Sequence, residues 1–335
     1  MESNISANAA PRSILICGGA GYIGSHMARM LAENGHAVTV FDNLSTGHRE
    51  ALQWGDFVYG DLRNPDDLSA LFRTRPFDAV FHFSALIVVP ESVRAPMKYY
   101  DNNVAGTCNL LKAMREAGVN RFVFSSTAAV YGNPVQEKIN EAHPLAPLNP
   151  YGRSKLMVEE MLDDLAVADD FRSVSFRYFN AAGAHPDGLI GEAHDPETHL
   201  IPNILISRLA GGAVLKVFGD RFPTRDGSCV RDYIHILDIC SAHMAALGFM
   251  DENEGANVFN LGNGQGFTVL EVIKAAEEVV GREIPYIVEP AREGDSPALV
   301  ADSALAARTL GWVPAYVDLR EIIETAWRWH KDKKY

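Results

Sequence analysis

The sequence predicts an α/β fold in which a parallel β-sheet is covered by helices on both faces. Two observations predict it. Short apolar runs, typical of buried strands, alternate with helical patterns through the first third of the chain. The first run also ends in a cluster of glycines and passes directly into a helix, as in doubly wound sheets.

The apolar runs and helical patterns give the order of the elements. Strands are predicted at residues 13–17, 36–41, 57–59, 79–83 and 122–124. Helices are predicted at residues 22–33, 65–72, 96–117, 268–280 and 319–329. The first of these helices ends at Asn34-Gly35, a common helix stop.

Composition limits the classes of partner. A formal net charge of −13 disfavours binding to nucleic acid or to an anionic membrane surface. No apolar stretch is long enough for a membrane span, and the polar segment 1–13 does not resemble a signal peptide. The four cysteines show neither zinc-ligand nor CxxC spacing. We therefore expect a cytoplasmic protein with reduced cysteines.

The glycine cluster after the first strand is Gly18, Gly19, Gly21 and Gly24. Glycines at this spacing allow a tight turn and let the diphosphate of a dinucleotide approach the N-terminus of the following helix. The second strand ends in Asp42, whose carboxylate suits a ribose 2′-hydroxyl and repels a 2′-phosphate. Together these features predict a Rossmann-type sheet that binds NAD rather than NADP.

Two further strand ends carry candidate cofactor contacts. Asp61 and Leu62 follow the third strand, where an adenine ring could lie, and the small residues Ser84 and Ala85 follow the fourth. The alternative for Asp61 is an acidic residue at the N-terminus of the helix that begins near Pro65.

After about residue 180 the alternation of strands and helices stops. Residues 183–202 are rich in Gly, Pro, His and acidic residues, which is typical of a loop. We therefore predict a cofactor-binding domain at 13–180 and a smaller C-terminal substrate-binding lobe at 181–335, with segments that return to the sheet.

Tyr151 and Lys155 are the candidate reacting side chains. Four residues apart on a helix, they share one face, and an ammonium group beside the phenol favours its ionised form. Thr127 follows the end of the fifth strand, where its hydroxyl group can bond the same substrate oxygen.

Several motifs now mark a resemblance: GGAGYIGSH, FDNLSTG, GDLRN, FSSTAAVYG, YGRSKLMVE, RYFNAAGAHP, VRDYIHI, NLGNG and REGD. With them the chain resembles the extended short-chain dehydrogenase/reductase family, the NAD-dependent epimerases and dehydratases, over roughly residues 14–329. Within it, the chain is similar to the enzymes that invert C4 of UDP-sugars.

The resemblance implies the following site residues, with Tyr151, Lys155 and Thr127 catalytic. The implied NAD-binding residues are Gly18, Gly21, Tyr22, Ile23, Gly24, Asp42, Asn43, Ser45, Asp61, Leu62, Phe83, Asn102, Tyr151, Lys155 and Phe179. The implied UDP-sugar-binding residues are Thr127, Asn180, His199, Leu200, Phe218, Arg231, Arg292 and Asp295. It also implies a homodimer through helices at 99–117 and 155–167, whose apolar stripes could equally pack within one chain.

The chain departs from the family at four positions. Thr127 stands where many members have Ser and keeps the hydroxyl group. Ile87 and Pro90 replace a lysine and a glycine near the cofactor, so one charged contact is lost. Leu299 occupies the position at which bulky aromatic residues exclude N-acetylated sugars, which leaves acceptance of such sugars open.

Ala128 and Ala129 narrow the expected reaction. Related dehydratases carry an Asp-Glu pair here, and alanine can neither donate nor accept a proton, so elimination chemistry lacks its acid and base. We therefore expect interconversion of UDP-galactose and UDP-glucose through a transient 4-keto sugar with tightly bound NAD. Two alternatives are a 4-epimerase of another UDP-sugar (UDP-N-acetylhexosamine, UDP-pentose or UDP-glucuronate) and an NAD-binding regulator without turnover.

The loop after residue 183 contains a candidate metal cluster. His185, His194 and His199 lie among four acidic residues, Asp187, Glu192, Asp195 and Glu197. Their irregular spacing matches no ligand template, so we expect no metal.

Overall fold

The structure is a computed structural model that describes residues 10–209, 211, 214–292 and 295–335. The sequence predicts that the N-terminal segment 1–13 is not a signal peptide. Residues 1–9 of that segment lie outside the described residues. None of the helices in the described ranges is long and apolar enough to cross a membrane.

A seven-stranded sheet forms the centre of the molecule. Its order is β11-β6-β5-β4-β1-β2-β3, and every neighbouring pair is parallel. The strands are β1 (Ser13–Cys17), β2 (Ala37–Asp42), β3 (Asp56–Tyr59), β4 (Ala79–His82), β5 (Arg121–Ser125), β6 (Arg172–Tyr178) and β11 (Ala256–Leu261). The chain leaves β1 towards one edge and continues from β4 towards the other, so the predicted doubly wound topology is confirmed.

Helices cover both faces of this sheet. They are α1 (Tyr22–Glu33), α2 (Pro65–Thr74), α3 (Val89–Arg94), α4 (Pro96–Tyr99), α5 (Gly106–Glu116), α6 (Pro150–Ala168), α7 (Leu200–Leu209), α8 (Ile236–Glu252), α9 (Val269–Val280), α10 (Ala304–Leu310) and α11 (Leu319–Lys331). Within β1, Ile14 and Ile16 face the core formed with α1 and α8, whereas Leu15 and Cys17 face the core formed with α2, α5 and α6. Burial on both faces explains why the strand sequences are continuously apolar.

The second half of the chain contributes both to the large sheet and to a separate layer. Strand β11 pairs with β6, and α8 packs beneath the sheet. The remaining strands are β7 (Asn180–Ala182), β8 (Leu215–Phe218), β9 (Val230–Arg231), β10 (Tyr233–His235), β12 (Phe267–Thr268), β13 (Tyr286–Glu289) and β14 (Ala298–Leu299). They form small sheets, and a third apolar core lies among α7, α9 and α11.

The single helix predicted at residues 96–117 is interrupted. Between α4 and α5 the backbone forms a π-helical segment, Tyr100–Ala105. Periodicity does not distinguish such a segment from a continuous helix, because apolar residues keep a similar spacing on either side. π-helical insertions are frequent at functional sites, and this one lies beside α6.

Substitutions at two glycines, Gly191 next to α11 and Gly248 in α8, test the packing of these helices. A methyl group at Gly191 would meet the ring of the fully buried Trp329 at 2.3 Å, whereas one at Gly248, on the exposed side of α8, would meet nothing within 4 Å. We expect Gly191→Ala to lower the melting temperature by about 2–4 °C through overpacking. Gly248→Ala is its matched control and should raise the melting temperature by about 1 °C, because alanine is the better helix former. Equal shifts in differential scanning calorimetry would contradict this packing.

Candidate active site

The glycine loop lies in close backbone contact with the neighbouring strand. Gly18 has φ +81°, and a Cβ atom there would lie 2.6 Å from the backbone nitrogen of Ser84. A Cβ at Gly24 would lie 2.2 Å from the carbonyl oxygen of Gly18. Only glycine fits at these two positions. Because neither has a side chain, the start of α1 packs directly against the end of β1.

The N-terminus of α1 is open to an anion. Gly21 is the N-cap residue, and among the described residues no side chain caps the helix and no acidic residue lies in its first turn. The N–H groups of the first turn and the positive end of the helix dipole therefore favour a diphosphate here. Tyr22 and Ile23, both candidate cofactor residues, belong to this turn.

Asp42 lies at the carboxyl end of β2 and is buried. Its two carboxylate oxygens accept hydrogen bonds from the N–H groups of Ala20 (3.0 Å) and Leu44 (2.7 Å). Burial raises the pKa of Asp42, and these two bonds partly offset the rise. The carboxylate is thus fixed beside the glycine loop, in the position that contacts a ribose hydroxyl in Rossmann-type sheets.

Asn43, Ser45 and Asp61 form a hydrogen-bonded rim next to Asp42. Asn43 Nδ2 donates to Asp61 Oδ2 (2.9 Å), and the Ser45 N–H group donates to Asn43 Oδ1 (3.0 Å). The pKa of Asp61 lies well below its usual range, and the hydrogen bond from the Arg63 guanidinium group is the largest cause. The N-cap of α2 is Asn64, which accepts from the N–H group of Asp66.

The other candidate cofactor residues line the same edge of the sheet. Leu62 is buried, and Phe83 follows β4. Asn102 lies in the π-helical segment and donates from Nδ2 to Asn103 Oδ1 (3.0 Å). Asn103, which the sequence analysis missed, bonds Ser154 Oγ on α6 (3.0 Å) and so ties this segment to the helix that carries Tyr151.

Tyr151 and Thr127 meet at the amino end of α6. Asn149 caps the helix by accepting from the N–H group of Gly152 (2.9 Å), which places Tyr151 in the first turn. The Thr127 hydroxyl oxygen accepts a hydrogen bond from the N–H group of Ala129 (3.2 Å). Burial raises the pKa of Tyr151, and the nearby Thr127 side chain partly offsets the rise. A Cβ at Gly152 would lie 2.6 Å from the carbonyl oxygen of Ala129, so this glycine lets the turn that carries Thr127 pack against α6.

Lys155 lies one turn further along α6 and is 2% exposed. Its Nζ donates to the carbonyl oxygen of Ser125 (2.6 Å) and lies 4.8 Å from the centre of the Phe124 ring. Burial lowers the pKa of Lys155 to about 7, and the carboxylate of Glu159 opposes that shift. An amine with this pKa can take up and release a proton near neutrality.

The candidate substrate residues collect on the small sheets. Asn180 begins β7, and its N–H group donates to the carbonyl oxygen of Asp232 (3.0 Å). Arg231 ends β9 with its guanidinium group 3.6 Å from Asp295 Oδ1. The Arg292 guanidinium group stacks 3.8 Å above the ring of Phe218. Two guanidinium groups and an aromatic ring are therefore available to an anionic nucleotide.

One small apolar cluster connects this set to the reacting residues. Its core includes Ala128 and Tyr131, and Phe179 and Leu299 pack against it. Leu299 lies in β14, directly beside Arg231 in β9. The pocket position proposed for sugar selection therefore lies between the arginine and the turn that carries Thr127. Of the other departures, Ile87 is exposed before α3, and Pro90 lies in its first turn.

The loop before α7 brings four of the predicted cluster residues together. Ligand atoms of Glu192, His194, Glu197 and His199 all lie within 4.8 Å of one another. His199 Nδ1 is 2.6 Å from Glu192 Oε1 and 3.2 Å from Glu197 Oε1. The irregular spacing of these residues in the sequence did not indicate that they meet. The absence of a metal remains a prediction.

His199 and Glu192, the closest pair in this cluster, carry opposite charges at neutral pH. Burial opposes both shifts, but the hydrogen bonds to Glu192 and Glu197 raise the pKa of His199 to about 10. Bonds from His194 and His199 lower the pKa of Glu192 to about 2. His199 is therefore an imidazolium, directly before Leu200 at the start of α7.

Comparison with known proteins assigns the family. The sequence pattern of the "NAD dependent epimerase/dehydratase family" matches residues 14–262. The chain belongs to this family. It is 47% identical to a UDP-glucose 4-epimerase from Lacticaseibacillus casei over 96% of this chain and 97% of that protein.

Solved structures agree with this assignment. The UDP-glucose 4-epimerase of Brucella ovis in complex with NAD is 47% identical with a TM-score of 0.91, over 94% of this chain and 97% of that one. The UDP-Glc/GlcNAc 4-epimerase of Campylobacter jejuni is 44% identical with a TM-score of 0.84, over 95% and 99%. The predicted family and its Rossmann-type fold are thus confirmed, whereas the roles of individual residues remain predictions.

Sequence reasoning missed the buried charged residues behind the site, Glu159 and Arg177. Their side chains are only 4% and 5% exposed and form an ion pair. Two signals could have indicated them. Glu159 lies four residues after Lys155, on the same helical face, and Arg177 stands between the aromatic residues Phe176 and Tyr178.

The charged state of His199 leads to a prediction about stability. A folded-state pKa of about 10 against an ordinary value of 6.5 means that the stabilisation is fully present below pH 6.5 and is lost as the pH rises to 10. We expect the melting temperature of the native protein to fall more steeply between pH 7 and 10 than that of His199→Gln. If the melting temperatures of the two proteins fell equally between pH 7 and 10, His199 would not be an imidazolium in the folded state.

Proposed function

We propose that the protein is an NAD-dependent UDP-glucose 4-epimerase, an isomerase that interconverts UDP-galactose and UDP-glucose through a 4-keto sugar. One observation carries the proposal. The first turn of α6, which carries Tyr151, packs against the turn that carries Thr127, the buried Lys155 lies one helical turn further on, and alanines occupy the two positions after Thr127.

The residues around the glycine loop fit NAD. Gly18 and Gly24 have no room for a side chain, the first turn of α1 has free N–H groups, and Asp42 is fixed next to the loop. The proposed NAD contacts are those given above, from Gly18 to Phe179. Bound NAD supplies a reversible two-electron oxidation at C4 of the sugar.

Tyr151 handles the proton in the proposed mechanism. As a phenolate it accepts the proton of the C4 hydroxyl group when C4 is oxidised, and it returns that proton when C4 is reduced. Lys155 in its ammonium form stabilises the phenolate by charge. Thr127 donates a hydrogen bond to the C4 oxygen, which positions that oxygen within reach of Tyr151. Inversion follows when the 4-keto sugar presents its opposite face before the proton returns.

The second half of the chain holds the nucleotide in this proposal. Arg231 and Arg292 pair with the diphosphate, Phe218 packs on the uridine side, and His199 contacts the nucleotide from its position directly before α7. Asn180, Leu200 and Asp295 complete the set. The division into an NAD-binding unit at 13–180 and a UDP-sugar-binding unit at 181–335 belongs to the same proposal.

Ala128 and Ala129 explain why the keto sugar is reduced again. The dehydratases of this family need an acid and a base to expel water, and methyl side chains can supply neither. Both alanines lie in the turn that carries Thr127, against the first turn of α6. A sugar oxidised at C4 therefore meets only groups that serve oxidation and reduction.

Leu299 supports a second candidate substrate, a UDP-N-acetylhexosamine. Its side chain packs against the cluster that contains Ala128, next to Arg231, so its size limits the space beside the sugar. Leucine leaves more room than an aromatic residue would. The related Campylobacter jejuni protein is described as a UDP-Glc/GlcNAc epimerase.

We also propose a cytoplasmic homodimer. Val93, Met97, Met157 and Val167 are exposed apolar residues on α3, α4 and α6, and Val167 is 90% exposed. Such residues gain stability when a second subunit covers them. The four cysteines are free thiols in the structure, which suits a reducing compartment.

The proposal predicts turnover without added cofactor. We expect the purified protein to convert UDP-galactose to UDP-glucose, followed by proton NMR of the anomeric signals. Tyr151→Phe should lower kcat by about 10²- to 10⁴-fold with little change in KM, because only the proton-transfer group is removed. Tyr59→Phe, at a 70% exposed tyrosine, is the matched control and should behave as the native protein. A native protein that binds NAD yet leaves every UDP-sugar unchanged would be a regulator, and the enzyme proposal would fail.

Leu299 gives a prediction about selectivity. We expect Leu299→Tyr to lower kcat/KM for UDP-N-acetylgalactosamine at least tenfold relative to UDP-galactose, because the larger ring fills the space that an N-acetyl group needs. Leu299→Ala should shift the same ratio in the opposite direction. A ratio that stays constant across the three proteins would exclude position 299 as the selecting residue.

A further inference from the structure

Behind the reacting residues lies a buried ion pair that the mechanism above does not use. The Arg177 guanidinium group donates to both oxygens of Glu159, with Nη2–Oε2 2.5 Å and Nε–Oε1 3.0 Å. The two side chains are 5% and 4% exposed. A buried pair of this kind is often no more stabilising than an apolar pair of the same volume. Its position is therefore the informative feature.

Glu159 connects the helix of the reacting residues to the strand end that faces it. It lies on α6, one turn after Lys155 and two turns after Tyr151. Its Oε1 accepts a hydrogen bond from the hydroxyl group of Ser126. Ser126 stands between Ser125, whose carbonyl oxygen accepts from Lys155, and Thr127, which begins the turn that packs against the first turn of α6.

Arg177 holds the other end of the same turn. Its Nη1 donates to the hydroxyl oxygen of Tyr131 (3.0 Å), and Tyr131 in turn donates to Asn260 Oδ1 on β11 (2.6 Å). Ser126 and Tyr131 flank the turn Ala128–Val130. The ion pair is thus hydrogen-bonded to residues at both ends of the turn that carries Thr127.

We propose that Glu159 and Arg177 are positioning residues for the epimerase reaction, holding the turn that carries Thr127 against the helix that carries Tyr151 and Lys155. This inference rests on the proposed function. It assigns the pair a role through other groups, because neither side chain lies among the residues proposed to touch the cofactor or the sugar.

The pair also sets the charge around Lys155. The groups that face Lys155 are Tyr151 and Glu159 on its own helix, the Ser125 carbonyl and Phe124 ring on β5, His82 on β4, and Tyr178 on β6 through Ser125. His82 is uncharged, because burial, and then Lys155, lower its pKa to about 3. Glu159 is therefore the anion that acts on Lys155, and it also compensates the charge of Arg177.

Removal of the pair should consequently have two effects. The hydroxyl group of Thr127 loses its fixed position, which slows the chemical step without affecting the nucleotide contacts. Lys155 loses the charge that opposes its burial, so it gives up its proton at lower pH and the phenolate of Tyr151 loses its stabilising neighbour. The limb of the pH–kcat profile on which activity falls with rising pH should move to lower pH.

The test compares the native protein with Glu159→Gln/Arg177→Met, in which both charges are removed together. The double variant avoids the unpaired buried arginine that Glu159→Gln alone would leave, which is strongly destabilising. Glu160→Gln is the matched control, since Glu160 is the next residue of α6 and is exposed. Melting temperature, NAD content, kcat, KM and the pH profile with UDP-galactose are measured for all three proteins.

We expect the double variant to keep its fold and its KM within about twofold, to lose about 10- to 100-fold in kcat, and to show the alkaline limb about one pH unit lower. Glu160→Gln should match the native protein. A folded double variant with native kcat and native pH profile would overturn the inference and leave the proposed function intact. A native protein inert towards all UDP-sugars would overturn the proposed function itself, and the inference with it.

Discussion

The site depends on the reversal of strand order between β1 and β4. The chain leaves these neighbouring strands towards opposite edges of the sheet, and open α/β sheets bind their ligands beyond the carboxyl ends of the strands at such a point. The backbone at Gly18 comes so close to Ser84 that a single added carbon would separate the two strand ends. Three elements of the site lie next to this contact. Helix α1 starts from it, Asp42 is bonded to its loop, and the turn that carries Thr127 lies one strand away.

Local chemistry made much of this predictable. Glycine spacing and the carboxylate at position 42 indicated the cofactor region, because each requires only the residue type and its place after a strand. The Tyr151–Lys155 spacing likewise indicated a shared helical face. Strand bounds were predicted to within a residue or so for β1 to β5, since strands buried on both faces have continuously apolar sequences.

The features that sequence reasoning missed are those created by long-range pairing. Glu159 and Arg177 come from a helix and a strand whose contact depends on the packed sheet, and Glu192 meets His199 only through a loop without regular structure. The π-helical segment at Tyr100–Ala105 is another case, because one extra residue in a turn leaves the apolar pattern almost unchanged. Periodicity reports local geometry, whereas these features follow from the assembled fold.

The pairing of β9 with β14 has a consequence for how substrate range can change over evolutionary time. Leu299 and Arg231 are register partners, joined through backbone groups whose hydrogen bonds do not depend on side-chain identity. A codon change at position 299 can therefore alter the size of that side chain while the backbone pairing with Arg231 stays the same. With the roles proposed for the two residues, descendants of this chain could acquire new sugars by single steps and keep their contact with the nucleotide.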